Sequence, residues 1–175
     1  MLMVRTRTAG FTIVELAVVI AVIGILSAIG IVSFRTYKAD TEVATMKKDM
    51  LALKLSIEKY YAKNGSYPLG SQGSGAWSRR AQHGEGFIAG IFPEYLKVVP
   101  DVESGVKTDL GSNTYLYISN GADYKLIRLV GVAQGSLSPH ERSSIEPALQ
   151  DPVRWSGSTP QYRAWGYWSP GGRNW

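Results

Sequence analysis

One carboxylate inside a long apolar run constrains this chain more than any other feature. Residues 11–34 carry a single charged side chain, Glu15, and a short basic leader with Arg5 and Arg7 precedes them. A helix of that length reaches about 36 Å at 1.5 Å per residue, enough to cross a hydrocarbon core of about 30 Å. An acidic residue at the centre of such a helix costs about 2.5–3.5 kcal/mol on insertion scales. Near the end of the helix the cost is lower, yet an ionisable group in a membrane-length segment is by default a functional candidate. Arg5 and Arg7 favour a cytoplasmic N-terminus and put the rest of the chain on the far face.

Two rival readings of the run explain less. A secretory signal peptide, cut after a small residue such as Ala28, has an apolar core of only about 7–15 residues. Here the run is longer, contains Glu15 and flows without a polar break into more helix. An uncleaved single-pass anchor gives no reason for the Gly10-Phe11 junction or for Glu15. Gly24 and Gly30 lie within the run. Each weakens a helix by about 1 kcal/mol relative to Ala in water, and small residues let helices approach closely in lipid.

Residues 35–63 continue the helix. They contain neither Pro nor Gly. Val43, Met46, Met50, Leu53, Ile57 and Tyr60 recur three and four apart, one helical stripe that needs a globular partner. Leu51 and Leu55 are expected to widen it. Lys47, Lys48, Asp49, Lys54, Glu58 and Lys59 fill the other positions. Asn64-Gly65 followed by Pro68 supplies the stop. The expectation is one helix over 11–63, apolar all round in its first half and amphipathic in its second. A two-stranded coiled coil is the competing use of the stripe, but the run is short for a heptad array.

The remaining residues, 64–175, read as one modest globular domain. Residues 69–86 are rich in Gly and Ser and read as a loop, and 87–96 as a short helix interrupted near Pro93. Residues 114–119 alternate, with Tyr115 and Tyr117 on one face and Leu116 and Ile118 on the other. Residues 124–130 form a second strand, and Asn120-Gly121 between them signals a hairpin. The apolar face of this sheet is expected to cover the stripe of the long helix. Residues 162–168 suit a final strand. The aromatics Trp155, Tyr162, Trp165, Tyr167, Trp168 and Trp175 either complete the core or, with Arg154, Arg163 and Arg173, form an exposed binding surface.

The chain has no Cys, so no disulfide holds this domain. Its formal charge of +5 falls to +3 without Arg5 and Arg7, an ordinary solvated surface rather than a nucleic-acid footprint. His83 and His140 lie in polar, loop-like sequence, and neither HExxH nor C-x-x-C is present. No catalytic residue, metal ligand set or cofactor site is expected, and the chain is read as a non-enzyme. Ser138-Pro139-His140-Glu141 and Ser143-Ser144 are ordinary polar composition rather than a triad. Residues 70–75 lack the Lys-Ser/Thr ending of a phosphate loop.

The stretch Gly10-Phe11-Thr12-Ile13-Val14-Glu15 resembles the class III leader of type IV pilins and of the pseudopilins of type II secretion. The resemblance implies cleavage by prepilin peptidase between Gly10 and Phe11, N-methylation of Phe11 and an assembly role for Glu15. It implies an α+β, ladle-shaped pilin-like fold, a long N-terminal helix packed on a small antiparallel sheet. The leader is then 1–10, the transmembrane and assembly helix 11–34, its amphipathic continuation 35–63 and the globular domain 64–175. The stretch from Tyr60 to Pro68 is similar to the helix exit of major pseudopilins. The chain departs from the family pattern in three places. Val32 stands where many pilins have Pro, the disulfide of many type IV pilins is missing, and the late chain offers Asp151 but no dense acidic cluster for the calcium loop of major pseudopilins. Implied partners are prepilin peptidase, other pilin or pseudopilin subunits, an inner-membrane assembly platform and membrane lipid, with no nucleic acid. The implied location is the bacterial inner membrane, with the globular domain in the periplasm, and the fibre after assembly. Three functions stay open: a structural subunit of a pilus or pseudopilus, a minor pilin at a fibre tip binding DNA, glycan or secretion cargo, and a secreted hydrolase behind a signal peptide.

Overall fold

The computed structural model describes residues 11–100, 113–131, 143–155 and 162–175. The chain divides into two compact units, Met1–Ala39 and Asp40–Trp175. Helix α1, Ile13–Asn64, contributes residues to both.

In the first unit α1 begins directly after Thr12 and runs unbroken through Gly24, Gly30 and Val32. Over residues 11–27 its apolar side chains meet no covering element. Phe11 is 86% and Ile13 87% exposed, and Val14, Leu16, Ile20, Ile25 and Leu26 are likewise open. Among the described residues no helix is long and apolar enough to cross a membrane.

In the second unit the stripe is where its spacing puts it. Val43, Met50, Leu53 and Ile57 are buried, with Met46 and Tyr60 packed beside them. Leu51 and Leu55 do not widen it: they are 43% and 50% exposed. At about 100° per residue they fall roughly 130° and 165° from the centre of the buried stripe, on the opposite side of the helix. The helix ends as expected. Gly65 has φ of 72° and its N–H donates to Tyr61 O at 2.8 Å, the left-handed stop that glycine adopts without strain.

A four-stranded antiparallel sheet packs on this half of α1. Its strands are β1 (Ser78–Arg79), β2 (Asn113–Ser119), β3 (Tyr124–Gly131) and β4 (Tyr162–Trp168), in the order β1-β2-β3-β4. The β2–β3 hairpin turns at Asn120–Asp123. Asn120 Oδ1 accepts from Ala122 N at 3.0 Å and Asp123 N at 2.7 Å, and Gly121 takes φ of 89°. Alternation divides the sheet cleanly. Tyr115, Tyr117, Tyr124, Leu126 and Trp165 face Met50, Leu53 and Ile57. Leu116, Ile127, Leu129 and Ala164 lie on the other face, where Trp77 covers them. Gly166 pairs with Ile127, and a Cβ there would run into Leu126 O and Ile127 Cα. This close crossing of β3 and β4 therefore needs glycine.

Two expectations over 69–96 are corrected. The stretch 69–86 is not all loop: it holds β1, a one-turn helix α2 (Arg80–His83) and the start of a 3-10 turn, Gly84–Phe87. Residues 87–96 form no short helix. After the 3-10 turn comes a bridge at Ile88 and then successive turns, with Gly90 at φ of 74° and a cis Phe92–Pro93 bond. Phe87, Ile88 and Ile91 are nevertheless buried, so the apolar residues were right and the helical spacing incidental. Three of the late aromatics go inward. Trp165 is wholly buried, and Tyr167 and Trp155 pack against the main core.

Candidate assembly site at the start of the long helix

The first turn of α1 brings Thr12 and Glu15 together, with Phe11 next to them in sequence. Thr12 is the residue before the first helical one, and its carbonyl accepts the first helical bond, from Leu16 N at 3.1 Å. Its hydroxyl oxygen accepts from Glu15 N at 3.2 Å. Glu15 answers: Oε2 accepts from Thr12 N at 2.8 Å and from the Thr12 hydroxyl at 2.8 Å. This is a capping box, in which the cap residue and the third helical residue satisfy each other's open N–H groups. The carboxylate also lies at the positive end of the helix dipole, where negative charge is favoured.

Within its own chain Glu15 therefore has a neutral local partner, Thr12. The Thr-x-x-Glu spacing was visible in the sequence and is a recognised helix-start signal. The apolar run around it drew the reading to the membrane instead. Phe11 stands one residue before the cap, fully in the open. Gly10 lies outside the described residues.

The other residues weighed from the sequence do not converge. His83 Nε2 lies 3.0 Å from Gln72 Nε2 at the surface, and residues 138–141 lie outside the described residues. Asp151 is buried against Lys125 and Arg154, each at 2.9 Å. Among the described residues no group of three or more His, Asp or Glu is placed to hold a metal ion. Arg154 stacks on Trp77, 4.9 Å from the ring centroid, rather than standing free on an open surface.

Residues 5–31 match the prokaryotic N-terminal methylation motif. The chain is 31% identical over 104 residues to the type IV major pilin protein PilE of Neisseria gonorrhoeae, covering 59% of this chain and 56% of that one. It is 31% identical over 71 residues to the type II secretion system core protein G of Pseudomonas aeruginosa, 41% of this chain and 50% of the relative. A fimbrial protein of Pseudomonas aeruginosa is 45% identical over 49 residues, 28% and 32% of the two chains. This chain carries a class III prepilin leader and is homologous to type IV pilins and to a type II secretion pseudopilin. The chain spans about half the length of the curated relatives it matches. No solved structure matches it. The α+β arrangement, a long N-terminal helix on a small antiparallel sheet, is consistent with the pilin fold. These relatives are structural pilins and pseudopilins rather than enzymes.

Proposed function

We propose that the chain is a structural subunit of a pilus or pseudopilus. Prepilin peptidase cuts between Gly10 and Phe11, the Phe11 amine is methylated, and the mature subunit polymerises through the first half of α1. One observation carries this reading: the methylation motif over 5–31 leads into a helix whose apolar side chains are exposed on all sides. Apolar surface on that scale requires a cover. Lipid supplies it before assembly, with residues 11–34 spanning the inner membrane, the N-terminus cytoplasmic and the sheet periplasmic. Like helices supply it in the fibre.

Glu15 then has two partners in turn. In the free subunit it caps its own helix. In the fibre its carboxylate meets the Phe11 amine of a neighbour, and pairing offsets the burial of both charges. The reading covers type IV pili and type II pseudopili alike, since relatives of both kinds match. Of the aromatic and arginine residues behind the tip-binding alternative, Trp165 is buried and Arg154 is held by Asp151.

The test is incorporation. Glu15→Ala protein should insert and be cut as usual, because the cost of an intramembrane charge is gone, yet it should remain in the inner membrane. Sheared fibres containing it at wild-type levels would remove the pairing role.

A further inference from the structure

The face of the sheet turned away from α1 buries a lysine. Lys125 has no exposed side-chain surface, and its ammonium donates to Asp151 Oδ1, to Arg173 O and to Trp175 O, each at 2.9 Å. An ammonium has three N–H donors, so every one is used. Trp168, its cross-strand partner on β4, sets its ring 5.5 Å from Nζ.

Asp151 is held as firmly. Its N–H donates to Ala164 O at 3.1 Å, its Oδ1 also accepts from Val153 N at 2.9 Å, and its Oδ2 accepts from Arg154 Nη1 at 2.9 Å. The same Arg154 nitrogen reaches Trp175 O at 3.0 Å. Three stretches far apart in sequence, namely β3, residues 150–154 and residues 173–175, thus converge on one cation.

We propose that Lys125 is the resident cation of this oxygen cage: its ammonium does the work of a structural metal ion, clasping residues 150–154 and 173–175 to the sheet. The coordination argues for it. A calcium ion takes about 6–8 oxygens at roughly 2.3–2.6 Å, whereas three oxygens at 2.9 Å match the hydrogen-bonding capacity and reach of an ammonium. The centre of the cage is filled by covalently tethered charge, so the segment is closed whatever the metal content of its surroundings. An arginine would not serve, because its planar fork cannot direct three donors at converging acceptors.

The test uses the full-length chain in detergent. Thermal unfolding of the unmodified protein should move by less than about 1 °C on adding EDTA or millimolar calcium, the midpoint being the direct readout of a bound stabilising ion. Lys125→Met should speed protease cutting within residues 143–175 by at least about a hundredfold, as expected for a buried ion pair broken on one side. Lys125→Arg should not restore resistance. Should Lys125→Met fail to fold, reductive methylation of the unmodified protein decides: Lys125 should stay unlabelled while the exposed Lys48 and Lys59 react. A calcium-raised midpoint, unchanged proteolysis of Lys125→Met, or labelling of Lys125 at the rate of Lys48 would each overturn the proposal.

Discussion

At the scale of single residues, Glu15 has one observed role and one proposed role, and a single substitution separates them. Its carboxylate closes a capping box with Thr12, and its charge is the only one in residues 11–34. Glutamine at the third helical position can close the same box without the charge. Glu15→Gln should therefore keep the start of α1 ordered, read as amide exchange at residues 13–16 in detergent, while abolishing entry into fibres. Wild-type fibre incorporation of Glu15→Gln would mean that the cap, not the charge, is what assembly uses. Lys125 gives the opposite lesson about legibility. A lysine in an alternating strand reads as solvent-facing, and nothing local announces that Asp151, Arg173 O and Trp175 O will close over it. Only the tertiary fold brings them within 2.9 Å.

At the scale of elements, periodicity was a good guide wherever an element was long. The stripe of α1 and the β2–β3 hairpin were readable because three-and-four spacing and Asn120-Gly121 are local signals. Two-residue β1 was not, since it exists only by pairing with Leu116 and Tyr117 of β2. Leu51 and Leu55 were misplaced because hydrophobicity was counted without their angle on the helix. That error has a measurable counterpart. Leu53→Ala should cost about 2–5 kcal/mol, the range for emptying a packed core site, while Leu55→Ala should stay within about 0.5 kcal/mol, both by urea unfolding in detergent. Equal costs would contradict the burial pattern. The core tyrosines predict an alkaline limit. Tyr117 and Tyr124 are buried, their hydroxyls donate to Pro68 O at 2.7 Å and Glu58 Oε1 at 2.9 Å, and burial pushes both pKa values well above the ordinary tyrosine range. An acid whose folded pKa is raised favours the fold below its unfolded pKa, and this is lost as pH rises past about 10. Each such tyrosine then costs about 1.4 kcal/mol per further pH unit. Unfolding midpoints should fall steeply above pH 10, with tyrosinate absorbance appearing together with unfolding. Tyrosinate titrating freely near pH 10 in the folded protein would contradict the buried positions.

At the scale of the whole molecule, the chain presents two units with opposite surfaces. Among the described residues of 40–175, an apolar core lies between α1 and a sheet whose far face is covered as well. Residues 11–27 leave their apolar side chains open. On the proposed function, lipid and then like helices cover that surface, and removal of the leader precedes assembly. The central claim is that residues 1–10 are removed, so that Phe11 opens the mature subunit with Glu15 as its fifth residue. The most direct measurement is intact-mass and peptide mass spectrometry of the protein extracted from membranes. The account predicts a chain starting at Phe11 and carrying one added methyl group on its amine. A chain starting at Met1, or one cut near residues 28–30, would contradict it.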